Sequence, residues 1–284
     1  MTAADLRVGV IGLGLMGSGI AEVCARAGFD VRAVDIDEDA VAAGLDRVRG
    51  SLARAVERGK LPVAESEAAL ARIAAGTEIG ALGDRDLVIE AASEDEAIKV
   101  GLFRRLDGIV GPDAILASNT SAIPISRLAA ATARPERVIG LHFFNPAPVM
   151  ALVEVIAGLR TAESTRQRAE DFVRALGKTA VAAPDRAGFI VNALLVPYLL
   201  AGIRMLDTGR ASADDIDTAM RLGCGHPMGP LELADLAGLD TVAAAAESLH
   251  REFGEPLYSP PPLLLRMVES GMLGRKSGRG FHSY

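Results

Sequence analysis

A chain of 284 residues, half of them hydrophobic, can bury a core large enough for one big domain or two smaller ones, and two is the expectation. Its formal net charge of −7 argues against a binder of nucleic acid or of anionic membranes, because those partners need a concentrated basic surface. Cys24 and Cys224 lie far apart without the spacing of a metal site, so the sequence indicates no disulfide framework and no metal.

Both cysteines are expected to be reduced core thiols in a cytoplasmic protein. The first residues reach a strand-like run with no charged leader before an apolar stretch, so no signal peptide is expected. The apolar run over 190–203 is too short and interrupted to span a bilayer.

In chain order, a β-branched run predicts a strand over 7–11, ending at a glycine-rich turn, and then a helix over 16–27 closed by Gly28. A second strand over 29–34 precedes helices over 37–56 and 65–73, with Gly59 and Pro62 in the gap. Buried strands are expected over 87–91, 114–117, 138–143, 152–156 and 179–182, with helices over 96–109 and 163–176 among them. Such alternation predicts an α/β fold with a Rossmann-type, mostly parallel sheet covered on both faces. After Pro184 the strand pattern stops, and helices are predicted over 190–206, 213–222, 231–236, 241–252 and 262–270. The breaker-rich segment Pro184-Asp185-Arg186-Ala187-Gly188 marks a boundary between a domain over 1–184 and an all-α C-terminal domain over 185–284.

Gly12, Gly14 and Gly17 form G-x-G-x-x-G between a predicted strand and a predicted helix, with Leu13, Leu15 and Met16 filling the turn. A dinucleotide needs that arrangement: a turn without Cβ at Gly12, close approach of the pyrophosphate at Gly14, tight helix packing at Gly17, and free N–H groups at the helix start. Asp35 follows the second strand, where a carboxylate can accept from the ribose hydroxyls. Ile36, Asp37, Glu38 and Asp39 bring no cation that could meet a 2′-phosphate, so the expected cofactor is NAD and not NADP.

A proton carrier near neutral pH must come from His142, His226, His250 and His282. His142 alone ends a strong buried-strand run, and strand C-termini face the ligand crevice in this architecture. Glu154 interrupts the next apolar run, where a carboxylate is costly unless paired. A Glu154–His142 pair would fix the imidazole tautomer and favour its protonated form. Asn119-Thr120-Ser121 follows another strand and offers amide and hydroxyl groups to a nicotinamide and a substrate oxygen. Asn192, early in the first helix after the boundary, would enter the cleft from the second domain. Each of these has an ordinary structural explanation when taken singly, but after a dinucleotide motif the four together favour a hydride-transfer site.

At these residues the sequence resembles the 3-hydroxyacyl-CoA dehydrogenase family over essentially the whole chain. The resemblance rests on the 12–21 turn, Ser118-Asn119-Thr120-Ser121, His142-Phe143-Phe144-Asn145-Pro146, Gly188-Phe189-Ile190-Val191-Asn192, His226-Pro227-Met228-Gly229-Pro230 and the tail over 274–281. It implies His142 as general base in oxidation, Glu154 as its orienting carboxylate, Ser121 as a partner of the reacting oxygen and Asn192 as a stabiliser of substrate. It further implies cofactor contacts from Glu94, Lys99, Asn119, Ser121 and Lys276, and places the CoA moiety near Ser51, Arg58 and Asn145. Ala193 and His282 depart from residues common in the family.

The implied partners are an acyl-CoA substrate and a second copy of the chain, the helical domain closing the cleft and making the dimer contact. A carrier-protein-bound or other 3-hydroxyacyl substrate would serve the same carbinol chemistry. A non-catalytic nucleotide-binding protein of the same fold is the alternative from another class. From the acid at position 35, kcat/KM is expected to favour NADH over NADPH by roughly a hundredfold or more, the scale of a like-charge clash; a clear NADPH preference would overturn the assignment.

Overall fold

Apolar, β-branched runs build the sheet of the first unit, Met1–Asp185, in a computed structural model that describes residues 6–284. Its strands are β1 (Arg7–Ile11), β2 (Asp30–Val34), β3 (Ile73–Gly76), β4 (Leu87–Glu90), β5 (Ile115–Ser118), β6 (Val138–Phe143), β7 (Leu152–Ala157) and β8 (Thr179–Ala183). Between them run α1 (Leu15–Arg26), α2 (Glu38–Glu57), α3 (Val63–Ala71), α4 (Glu96–Asp107), α5 (Ile125–Ala129) and α6 (Glu163–Ala175). The strand order is β3-β2-β1-β4-β5-β6-β7-β8. All pairings are parallel except β6 with β7. The mostly parallel sheet and the helices that follow it are as the alternation of the sequence implies.

The order reverses between β1 and β4, which opens a crevice at the C-terminal ends of those strands. Consecutive residues of β1, β4, β5 and β6 are buried, so the sheet is covered on both faces. On one face Val8, Val10, Val31, Ile89, Ala117, Leu141 and Val155 sit in a core with Ile20, Cys24 and Val48 from the helices and with Phe29, which packs on Phe172 at 5.4 Å between ring centroids. Two features depart from the sequence expectation. The helix expected over 65–73 ends at Ala71, and Ile73–Gly76 instead pairs with β2 as a short edge strand. Two alanines and a glycine give it neither alternation nor β-branched bulk after Ile73, so it leaves no strand signal. Helix α5, a single short turn region after Pro124, was not expected at all.

The second unit, Arg186–Tyr284, contains α7 (Val191–Asp207), α8 (Ala213–Cys224), α9 (Pro230–Ala237), α10 (Leu239–Phe253) and α11 (Pro262–Glu269). Leu199, Leu200, Ile203, Leu231, Val242, Ala246, Leu249 and Leu264 form its core. Ala243 and Ala246 are buried, so the alanine-rich stretch of α10 serves close packing. Asp217 accepts from Leu231 N at 2.8 Å and Glu232 N at 2.9 Å and so caps α9, while His282 Nε2 lies 2.7 Å from the same carboxylate and ties down the tail. The expectation of two core thiols is corrected: Cys24 is buried and burial pushes it up to about 12, but Cys224 is exposed, because it stands in the solvated last turn of α8. Among the described residues, no helix is long and apolar enough to cross a membrane.

Gly44 on α2 is a position that sequence reading passes over. A Cβ there would come within 2.4 Å of Leu13 Cβ and 2.9 Å of Leu13 O, so α2 lies directly against the glycine-rich turn. Although alanine is the better helix former, overpacking of about 1–3 kcal/mol exceeds that gain. Gly44→Ala is therefore expected to lower Tm by several degrees in a thermal melt; an unchanged or raised Tm would show that the turn yields freely.

Candidate active site

The glycine-rich turn joins β1 to α1 and lies against the end of β4. Gly12 has φ +86°, and a Cβ on it would meet Ala91 O at 2.7 Å; a Cβ on Gly17 would meet Gly12 O at 1.7 Å. Both positions require glycine on steric grounds. At Gly14 the surrounding space is open, and Gly14 and Leu15 are exposed while Met16 is half-buried. Asp35 stands just beyond β2, its Oδ2 accepting from Leu13 N at 2.6 Å and its Oδ1 from Ile36 N at 2.7 Å. The cradle fits a dinucleotide: backbone crowded where it must be tight, open where a diphosphate would approach the start of α1, and a carboxylate at its edge.

His142 and Glu154 are direct cross-strand partners in the antiparallel β6–β7 pair. Their side chains meet, Nδ1 to Oε2, at 2.7 Å, with Glu154 fully buried and His142 6% exposed. An ionised carboxylate only accepts, so this contact places a proton on Nδ1 and directs Nε2 to other work. The Phe144 ring packs on the imidazole at 4.5 Å between centroids. The connection between the two strands contains the cis peptide Asn145–Pro146. Lys178 holds this connection by donating to Ala147 O at 2.7 Å and Met150 O at 2.6 Å, and burial pushes its ammonium below the usual lysine range.

Asn119 Oδ1 accepts from Phe143 N at 2.9 Å, which ties the loop after β5 to the residue next to His142. Glu94 accepts from Thr120 Oγ1 at 2.5 Å and Ser121 N at 2.9 Å, with Ser121 Oγ at 3.4 Å. Lys99 is 1% exposed; its Nζ lies 2.6 Å from Glu90 and 3.3 Å from Glu94. Sequence reading missed Glu90, whose side chain is wholly buried, and Ser118, which donates to it at 2.6 Å. A signal was present, since Glu90 ends the apolar run Leu87-Val88-Ile89 just as Glu154 interrupts its own.

The other expected residues are placed as follows. Asn145 is exposed, three residues after His142. Ser51 and Arg58 stand two turns apart along one face of α2, Arg58 exposed at its C-cap. Ser51 lies near Glu22, whose carboxyl is pushed up by burial in spite of the opposing influence of Ser51 and Arg26. In the second unit, Asn192 is the second residue of α7 and half-buried, and Lys276 Nζ lies 2.6 Å from both carboxylate oxygens of Asp240.

The family model described as 3-hydroxyacyl-CoA dehydrogenase, NAD binding domain, matches residues 7–186, and that described as the C-terminal domain matches 188–284. A 3-hydroxybutyryl-CoA dehydrogenase of Mycobacterium tuberculosis is 54% identical over 100% of both chains. The human mitochondrial hydroxyacyl-coenzyme A dehydrogenase is 45% identical over 98% of this chain and 90% of its own. Among solved structures, the (S)-3-hydroxybutyryl-CoA dehydrogenase of Ralstonia eutropha superimposes with a TM-score of 0.94 at 47% identity, covering 98% of each chain. With matches that run from the first strand to the last residue, the chain belongs to the 3-hydroxyacyl-CoA dehydrogenase family and carries that family's NAD-binding domain.

Proposed function

We propose that the protein interconverts 3-hydroxyacyl-CoA and 3-oxoacyl-CoA with NAD, with the four-carbon 3-hydroxybutyryl thioester as its substrate. The observation that carries this reading is the buried His142–Glu154 pair, a proton carrier with its tautomer set at 2.7 Å. Family membership and the relatives that act on 3-hydroxybutyryl-CoA support the substrate.

In oxidation the C3 hydroxyl gives its proton to Nε2 of His142, while Nδ1–H stays on Glu154. Glu154 stabilises the imidazolium as it forms, in a site where burial removes the screening of water. Bound NAD supplies the acceptor for the hydride that leaves C3. Gly12, Leu13, Gly14, Leu15, Met16 and Gly17 hold its diphosphate and Asp35 its ribose, and Glu94, Lys99, Asn119 and Lys276 are assigned to it by the family resemblance. Ser121 donates to the reacting oxygen, and Asn192 is assigned to the substrate in the same way. Ser51, Arg58 and Asn145 take the CoA moiety. A homodimer made through the helical domain, whose Leu194 and Leu222 are largely exposed, and a cytoplasmic setting belong to the same reading.

With acetoacetyl-CoA and NADH, His142→Gln is expected to lower kcat by about 10²–10⁴-fold, the range for losing a general acid, while NADH affinity stays within a few-fold by fluorescence titration. Retained turnover would remove His142 from the reaction. For Glu154→Gln the loss is expected to be smaller. Because the imidazolium loses its counter-charge, the oxidation pH–rate profile should also shift. A profile that superimposes on the wild type would count against the pair.

A further inference from the structure

Glu90 lies at the C-terminal end of β4, wholly buried and outside every role given so far. Its Oε1 accepts from Lys99 Nζ at 2.6 Å and from Ala92 N at 2.7 Å, and its Oε2 from Ser118 Oγ at 2.6 Å. Ser118 Oγ in turn accepts from Thr120 N at 3.2 Å. Lys99 reaches past Glu90 to Ala92 O at 3.2 Å and to Glu94 at 3.3 Å, and Glu94 grips Thr120 and Ser121. The loops after β4 and β5 are thus joined twice to one carboxylate, once through Ser118 and once through Lys99 and Glu94.

Both routes converge on the segment that presents Ser121. We propose that Glu90 is a positioning residue for Ser121, acting by dividing Lys99 between two carboxylates. While Glu90 holds the ammonium, Glu94 keeps its bonds to Thr120 and Ser121. With Glu90 neutral, a buried lysine has only Glu94 left as a counter-charge and draws it off the loop, since an unpaired charge in that setting is the costlier state. The Ser118 tether slackens at the same time. This inference rests on the assignment of Ser121 to the reacting oxygen under the proposed function.

A double-mutant cycle separates positioning from mere support of the fold. Wild type, Glu90→Gln, Ser121→Ala and the double variant are assayed with acetoacetyl-CoA and NADH well below each Tm, with activity normalised to folded protein by circular dichroism. If Glu90 works through Ser121, Glu90→Gln lowers kcat about tenfold in the wild-type background, the scale of a small misplacement, and less than about twofold when Ser121 is already alanine. Losses that multiply across the cycle would overturn the proposal, as would a Glu90→Gln variant that loses thermal stability but keeps full kcat. Should Glu90→Gln not fold, Glu90→Asp, whose shorter side chain withdraws the carboxylate from Lys99 and Ser118, replaces it in the same cycle, with the same two outcomes. A wild-type protein without acetoacetyl-CoA turnover would instead contradict the proposed function, so the two failures are told apart.

Discussion

A glutamate wholly inside a sheet and a histidine on the next strand face each other in register, and much of the fold exists to keep them so. A carboxylate removed from water costs several kcal/mol unless it is paired and hydrogen-bonded. Glu154 meets that condition only because β7 runs antiparallel to β6, which brings it directly opposite His142. A one-residue slip would turn every side chain of β7 to the other face and leave the carboxylate alone in apolar surroundings. The register is held by the flanking pairs Leu141 with Val155 and Phe143 with Val153, and by Lys178, which pins the connection between the strands. The antiparallel pairing of β6 with β7 thus brings an imidazole and a carboxylate from neighbouring strands directly face to face.

The same economy operates at the neighbouring strand ends. Glu90 and Glu154 are both fully buried at the functional edge of the sheet, and each is matched to a cation or an imidazole. The Glu90 network binds the loops after β4 and β5, and Ala91 in the first of these is the surface against which Gly12 packs. Asn119 carries the connection on to Phe143, beside His142. The glycine-rich turn, the loops after β4 and β5 and the strand end that carries His142 therefore share one connected frame in the first unit, and a disturbance at one strand end reaches the next through named side chains.

The sequence made legible whatever is enforced by repetition or by cost. Unbroken apolar and β-branched runs located the long strands, the glycines located the turn, and the charged residue in Leu152-Val153-Glu154-Val155-Ile156 announced a buried partner. Features set by tertiary contact left little trace. Edge strand β3 is built from small residues and owes its form to β2. Gly44 is required by Leu13, which is remote in sequence. Cys224 reads as a core thiol by residue type but lies on an exposed helix end. Glu90 carried the same signal as Glu154, a carboxylate inside the strand expected over 87–91, and was overlooked.

Where the proton goes decides the chemistry, and a crystal structure of the protein with acetoacetyl-CoA and NAD examines that directly. The C3 oxygen should lie within hydrogen-bond reach of His142 Nε2, about 2.6–3.2 Å, with Nδ1 still on Glu154. A thioester bound with its C3 oxygen against another side chain, or an imidazole rotated off Glu154 to meet it, would contradict the account.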